Sequence, residues 1–409
     1  MAYRIEADQL LPGRGEPVAN AVVVLDGPSI VYAGPAALAP QTPDATVVHA
    51  RTVMPGLWDC HGHFLGARGA DLAKLPLESV ALRAARCVSD LRAALDAGVT
   101  SVREVGGLGI ELARAVAEGS TQGPNIYAAG AMISTTGGHG DLHSFSPAAV
   151  AEFAHAGGEL RLADGPADCA KAVREQLRRN AKVIKVHASG GVLSEVDHPI
   201  HQQFTQAELR AMVEVAGMAD RVVAAHCHGK PGLMAAVRAG VRTIEHGTYL
   251  DEEAAAAMRE TGTVLVATRT IIRELLDAEG VPHYAAEKLK VVADRHAEAL
   301  AIARQAGVTM AAGSDIALSG SHLPASWGRN GREPVLLVEC GFTALEAIEA
   351  ATANGPATLG AQAPRSGMLA EGFDADVIVV DGDPVADISV LSRPEMVTGV
   401  WKAGQKVKG

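Results

Sequence analysis

The stretch "MPGLWDCHGHF", Met54–Phe64, places two histidines one residue apart where a run of apolar residues ends. Side chains two positions apart in an extended strand point to the same side, so His61 and His63 can grip one partner together. A single histidine at a strand tip is more often a core or loop residue than a ligand. The pair predicts a metal site only if the rest of the chain supplies further ligands.

Apolar runs of this kind recur along the middle of the chain and alternate with stretches that have helical spacing, such as "VALRAARCVSDLRAALDAG". Eight alternations favour an α/β fold, a TIM-like (β/α)8 barrel over residues 55–364, with a doubly wound open sheet as the alternative. The eight runs are "VMPGLWD", "VTSVREV", "NIYAAGA", "KVIKVHA", "RVVAAH", "VRTIEH", "TVLVAT" and "VTMAAGSD".

Both ends of the chain have the pattern of short strands separated by turns. "NAVVVLDGPSIVYAG" (Asn20–Gly34) contains two strands around a Gly-Pro turn, and "ADVIVVDGDPVADI" and "MVTGVWKAGQKV" repeat the pattern near the C-terminus. Neither end has enough strands to enclose a core by itself. We therefore expect residues 1–54 and 365–409 to pair into one small β-sandwich that brackets the barrel.

The bulk composition excludes several classes of protein. A net charge of −11 with no basic stripe argues against a nucleic-acid partner, and no apolar run is long enough for a membrane span. Five scattered cysteines without a CxxC pair argue against a disulfide framework and a zinc ribbon. The first residues, "MAYRIEADQLLPGRG", lack the apolar core of a signal peptide, which predicts a cytoplasmic protein. An exported precursor with a removed leader stays the alternative.

Polar residues end several of the predicted strands, and the C-terminal ends of strands form the active site of a barrel. Each residue has an ordinary alternative: Lys185 could extend outward to solvent, and Asp315 could cap a helix. Such alternatives do not explain why all of them fall at one rim of the barrel. The set is His61, His63, Lys185, His226, His246 and Asp315.

Imidazole and carboxylate groups suit zinc and its first-row neighbours. Six ligating residues are too many for one tetrahedral ion but suit two ions that share a bridge. An ammonium group cannot bind a cation, so Lys185 can contribute only if burial lowers its pKa and the neutral amine takes up CO2. The resulting carbamate has two oxygens and could bridge two metal ions.

The chain resembles the amidohydrolase superfamily over its whole length. The resemblance lies in "TVMPGLWDCHGH", in the lysine of strand four, in the histidines and aspartate at later strand ends, and in "GMLAEGFDADVIVVDGDP". "IKVHASGG", "AAHCHG" and "TIEHGTYLD" resemble the branch that holds imidazolonepropionase-like proteins, prolidase-like dipeptidases and zinc carboxypeptidases, including ochratoxin hydrolases.

This resemblance implies a binuclear centre, most simply of two Zn²⁺ ions. One ion would be held by His61, His63 and Asp315, the other by His226 and His246, with carboxylated Lys185 between them. Asp315 would take a proton from the attacking water and pass it to the leaving nitrogen.

Four residues outside this set are candidates for substrate contacts. His139 lies in a glycine-rich loop after strand three, and His228 follows His226 by two positions. Tyr249 follows the sixth strand, and Arg269 follows the seventh. The alternative for each is packing or solvent exposure.

We therefore predict a metal-dependent hydrolase of amide or peptide bonds in small substrates with a free carboxylate. Such substrates are Xaa-Pro or Xaa-hydrophobic dipeptides, N-acyl amino acids and ochratoxin-type phenylalanine amides. A cyclic-amide hydrolase and a barrel that has lost catalysis are the alternatives, although none of the ligand positions is lost. Barrels of this kind commonly assemble, so a homo-oligomer is expected.

Overall fold

The structure is a computed structural model that describes residues 2–276 and 278–409. Its strands, in chain order, are β1 (Ala2–Leu10), β2 (Val18–Asp26), β3 (Ser29–Pro35), β4 (Thr46–Pro55), β5 (Leu57–Ala67), β6 (Val99–Glu104), β7 (Asn125–Ala128), β8 (Met132–Ser134), β9 (Leu160–Leu162), β10 (Ile184–His187), β11 (Val223–Cys227), β12 (Thr243–His246), β13 (Val264–Val266), β14 (Met310–Ala311), β15 (Ile316–Leu318), β16 (Val377–Val380), β17 (Val397–Lys402) and β18 (Gln405–Lys408).

The α-helices are α1 (Val80–Asp96), α2 (Gly109–Ala117), α3 (Pro147–His155), α4 (Pro166–Arg178), α5 (Gln206–Gly217), α6 (Lys230–Ala239), α7 (Glu252–Thr261), α8 (Arg269–Leu276), α9 (His283–Gln305), α10 (Arg332–Glu339) and α11 (Ala344–Ala350). Short 3-10 helices cover Ala36–Leu38, Leu72–Leu77, Pro356–Gln362, Ile388–Ser392 and Pro394–Met396. Across the described ranges, no helix combines the length and the hydropathy needed to cross a bilayer.

The central strands are parallel and follow the predicted TIM-like barrel order. They form a sheet in the order β15-β5-β6-β7 and a second in the order β14-β13-β12-β11-β10-β8-β9. Backbone hydrogen bonds join the two sheets at both sides: Cys60 N donates to Ala312 O at 2.8 Å, and Lys182 N donates to Ala128 O at 2.8 Å. The C-terminal ends of β5, β10, β11 and β12 therefore lie around one rim.

Two details of the barrel differ from the sequence pattern. The third predicted run contains β7, and a further short strand, β8, begins just after it, beyond Gly130, which has a positive φ of 78°. The first strand also extends past the two histidines: β5 continues to Ala67, and all eleven of its residues are buried. His61 and His63 thus lie within a strand whose backbone is held on both sides.

The two chain ends form one mixed sheet in the order β18-β17-β16-β4-β1-β2-β3. The sheet folds over, since Ile30 N in β3 donates to Phe373 O, just before β16, at 2.8 Å. Ile5, Leu25 and Trp401 from opposite parts of the sheet are buried in the same cluster. The predicted sandwich is thus a single folded sheet, and the division into domains at residues 54/55 and 364/365 stays a prediction.

Candidate metal centre and substrate cavity

Three of the predicted ligands meet at the first and last strands of the barrel. His63 Nε2 lies 3.1 Å from Asp315 Oδ1, and His61 Nε2 lies 3.4 Å from the same oxygen. Asp315 follows β14 with a φ of +58°, an uncommon conformation for a residue other than glycine. Its amide donates to His61 O at 2.6 Å, which brings the chain after β14 against the histidine strand.

The other predicted histidines complete the group. His226 lies in β11 and His246 ends β12, and their ring centres are 4.6 Å apart. Two sets have one ligand atom per residue within 4.8 Å of one another: His61, His246 and Asp315, and His226, His228 and His246. His228, predicted as a substrate contact, therefore also lies within reach of an ion at His226.

Lys185 lies in β10 directly beside this group. Its Nζ is 3.2 Å from His61 Nε2, and within the described residues no carboxylate lies within 4 Å of it. Burial lowers the pKa of Lys185 to about 8, so the neutral amine is far more populated near neutral pH than in an ordinary lysine. A neutral amine is the form that reacts with CO2, as the sequence argument requires.

Hydrogen bonds behind the histidine rings determine which nitrogen faces the centre. His61 Nδ1 lies 2.7 Å from Glu245 Oε2, and His63 Nδ1 lies 2.7 Å from Gly106 O. Both partners accept hydrogen bonds, so both rings carry the proton on Nδ1 and leave Nε2 bare for a metal.

His246 and His226 are also oriented by hydrogen bonds, although through different ring nitrogens. His246 Nδ1 donates to Thr268 Oγ1 at 2.6 Å, while the hydroxyl itself donates to Ala267 O at 2.7 Å. His226 instead has Nε2 3.2 Å from Gly190 O, which leaves Nδ1 bare. Burial, reinforced by the neighbouring imidazoles, holds the pKa of His226 and of His246 well below the ordinary value. Neutral imidazoles and one carboxylate are a donor set that fits first-row divalent metals.

Asp59 also ends the first apolar run, but it is not part of this group. Its Oδ1 accepts from Ser314 N at 3.0 Å and His61 N at 3.1 Å, and its Oδ2 accepts from Asn330 Nδ2 at 2.7 Å. Asp59 therefore ties the histidine strand to the segment that carries Asp315.

The candidate ligands lie at the bottom of a cavity of about 170 Å³. Its walls above the ligands are mainly apolar and come from the segments that follow several strands. Apolar lining residues include Leu65, Leu72, Met132, Leu142, Val192, Ile271, Leu275 and Leu289. Among the residues that the structure describes, the lining carboxylates besides Asp315 are Asp141 and Glu195.

The four predicted substrate contacts divide into two groups. His139 and His228 line the cavity, and the His139 ring stacks on His226 with centres 4.3 Å apart. Tyr249 and Arg269 do not line it. Arg269 is buried, and its Nη1 donates to Ala293 O of α9 at 2.5 Å. Substrate contact by Arg269 and Tyr249 therefore stays a prediction that the cavity lining does not support.

One cavity residue was missed by sequence reasoning. His187 ends β10, lines the cavity and is 3% exposed. Its Nδ1 has no hydrogen-bond partner among the described residues and lies against Gly140, where a Cβ would come within 2.8 Å of it. Its position two residues after Lys185, on the same face of the strand, was a usable signal.

Comparison with known proteins agrees with this geometry. The family model described as "Amidohydrolase family" matches residues 52–407. Ochratoxinase from Aspergillus niger is 42% identical over 427 residues, which cover 99% of this chain and 86% of that protein. Imidazolonepropionase from Micrococcus luteus is 27% identical over 406 residues, covering 96% and 95% of the two chains.

Solved structures show the same likeness. The crystal structure of A. niger ochratoxinase superposes with a TM-score of 0.92 at 41% identity, covering 100% of this chain and 96% of the other. A prolidase crystallised with N-methylphosphonate-L-proline superposes with a TM-score of 0.89 at 34% identity, covering both chains completely. Both likenesses extend over the barrel and the folded sheet together.

Proposed function

Because the chain belongs to the amidohydrolase family and is a hydrolase of carbon–nitrogen bonds in amides or peptides, we propose that it works with two divalent metal ions, most simply Zn²⁺. The proposed substrates are small and carry a free carboxylate beside the scissile amide. The ions would be held by His61, His63, Lys185, His226, His246 and Asp315.

A single observation carries this proposal. Bare imidazole nitrogens and the Asp315 carboxylate converge on one point at the floor of a largely apolar cavity. Their other ring nitrogens are already engaged by Glu245, Gly106 and Thr268. Burying polar groups costs free energy, so an apolar cluster would stabilise the fold better at this place. A set of neutral, oriented donors is therefore better explained by metal binding than by stability.

The metal ions, when bound, lower the pKa of a water molecule and polarise the carbonyl of the scissile amide. Lys185 supports the centre as a carbamate, formed when its neutral Nζ attacks CO2 and releases one proton. In that form Lys185 would offer oxygen ligands to the ions in place of an amine. Its Nζ lies 3.2 Å from His61 Nε2, beside the residues that would hold them.

Asp315 is the residue that moves the proton. Burial alone would raise its pKa, but the basic groups around it hold the pKa below the ordinary value, so the carboxylate is ionised and able to accept. Its side chain keeps 20% exposure and faces the cavity. It accepts a proton from the attacking water and donates it to the leaving nitrogen.

The cavity walls support a preference for apolar groups on the substrate. Two satellite clusters of buried apolar residues, one around Ile272 and Leu289 and one around Leu142 and Leu160, line it on different sides. His139 and His228 are the proposed contacts of the substrate carboxylate. Xaa-Pro and Xaa-hydrophobic dipeptides, N-acyl amino acids and ochratoxin-type phenylalanine amides meet these requirements.

A hydrolysis screen of metal-loaded protein tests the proposal. It should contain Xaa-Pro and Xaa-Phe dipeptides, N-acyl amino acids, the matching carboxamides and a five-membered cyclic amide. We expect cleavage of the free acids, loss of cleavage with a chelator, and about two ions per chain by elemental analysis. Fewer than one ion per chain in active protein would overturn the binuclear centre. Cleavage of the cyclic amide alone would favour the imidazolonepropionase-like alternative. Light scattering on the same protein tests the expected homo-oligomer.

A further inference from the structure

A buried ion pair lies directly behind the candidate metal centre, outside the cavity. Arg103 in β6 and Glu245 in β12 are both fully buried. Arg103 Nη2 lies 2.7 Å from each oxygen of Glu245. Neither residue lines the cavity, so neither can touch a substrate there.

The guanidinium of Arg103 also contacts β5 and a second residue of β12. Its Nε donates to Cys60 O at 2.6 Å, immediately before His61 in β5, and its Nη1 donates to Thr243 Oγ1 at 2.8 Å in β12. The planar fork of arginine can satisfy all these acceptors at once, which an ammonium group cannot. One guanidinium therefore fixes the position of the Glu245 carboxylate relative to the backbone beside His61.

Glu245 passes this constraint to the ring of His61. Its Oε2 lies 2.7 Å from His61 Nδ1, and both groups are buried. Both oxygens of Glu245 accept from Arg103 Nη2, an arrangement that fits a carboxylate without a proton. An ionised carboxylate only accepts, so His61 must carry its proton on Nδ1 and present a bare Nε2.

A purely structural purpose explains this pair poorly. Desolvating two charges costs several kcal/mol for each ion, and apolar residues of similar volume are often as stable in the same place. A second buried pair, Arg83 with Glu159, has no contact with any candidate ligand. The chain therefore offers a matched comparison for a pair that only ties segments together.

We propose that Arg103 and Glu245 are positioning residues for His61, which set the ring orientation and the tautomer that a metal ion there requires. The inference rests on the proposed function, since it assigns a purpose to the pair only if His61 binds a metal. Partners behind a ligating histidine commonly change metal affinity by about 10–100-fold when they are altered.

The test measures metal affinity rather than turnover. Metal-free protein is titrated with Zn²⁺ against a chromophoric chelator, for the wild type, Glu245→Gln, Arg103→Lys and the control Glu159→Gln. We expect Glu245→Gln and Arg103→Lys to weaken binding of one ion by about 10–100-fold. The control should bind Zn²⁺ as the wild type does, because Glu159 pairs with Arg83 and contacts none of the candidate ligands.

A second measurement needs no variant and no metal. Nitrogen-15 NMR of histidine-labelled, metal-free wild-type protein should show His61 as the Nδ1–H tautomer, with its signal assigned by comparison with His61→Asn. A His61 ring protonated on Nε2 overturns the inference even if Glu245→Gln fails to fold.

The outcomes separate the two proposals. A wild-type protein that binds no Zn²⁺ refutes the proposed function itself. A wild type that binds two ions while Glu245→Gln binds them equally tightly refutes only the positioning role. Equal weakening in Glu245→Gln and Glu159→Gln also refutes it, because the effect would then come from the loss of any buried pair.

Discussion

Replacement of Asp315 by Asn tests the proposed chemistry most directly. Asparagine has the same shape and keeps one oxygen that can stay near His63 Nε2, now 3.1 Å from Oδ1, so the fold should be retained. It cannot accept a proton at neutral pH. A positioned acid–base group contributes about 10²–10⁴-fold to rate, which corresponds to about 3–5 kcal/mol of barrier. We expect kcat to fall by that factor with KM nearly unchanged.

The assay is steady-state hydrolysis of the best substrate from the screen, with the metal content of every sample measured. Asp141→Asn and Glu195→Gln are matched controls, because these carboxylates line the same cavity and are not among the candidate ligands. Both should stay within a few-fold of the wild type. A metal-loaded Asp315→Asn enzyme within tenfold of wild-type kcat would refute the proton-transfer role.

The other predictions concern the remaining cavity residues and the response to pH and metal. His187→Gln should retain more activity than His187→Ala, because the glutamine amide can replace the N–H of imidazole Nε2. Equal loss in both variants would argue against a hydrogen bond from His187 to the substrate. Arg269→Ala should lower the melting temperature and leave KM unchanged, since Arg269 bonds to α9; a large rise in KM would return it to the substrate site. Burial lowers the pKa of His61 and of His139 to about 4, so between about pH 6.5 and 4 the unfolded chain binds more protons than the folded one. Metal-free protein should therefore lose stability as the pH falls through that window. Thermal unfolding at several pH values checks this expectation. Zn²⁺ at about 100 times its Kd should stabilise the folded protein by about 2.7 kcal/mol, visible as a raised melting temperature that a chelator reverses.

The sequence by itself determined the α/β class and the family. The barrel order follows from apolar runs that alternate with helical patterns, and this local periodicity needs no tertiary information. His61 and His63 could be paired from their spacing alone, because strand geometry puts residues two apart on one face. Lys185, His226, His246 and Asp315 were found because parallel strands of a barrel deliver their ends to a common rim.

Only the tertiary structure decided which other residues face the cavity. Arg269 follows a predicted strand and His187 ends one. The guanidinium of Arg269 donates to the backbone of α9, whereas the imidazole of His187 faces the cavity. Side-chain direction beyond a strand depends on loop conformation and on packing against helices distant in sequence. The pattern of apolar residues in a strand predicts neither the loop conformation nor this packing.

The partners of the ligands show the same division. Glu245 stands beside His246 in the chain but serves His61, which is 184 residues away, and Arg103 reaches it from a third strand. Neither residue shows in the sequence which group it pairs with. Each charge is stable there only because three strands bring a cation, a carboxylate and an imidazole within hydrogen-bond distance, and that arrangement exists only in the folded barrel.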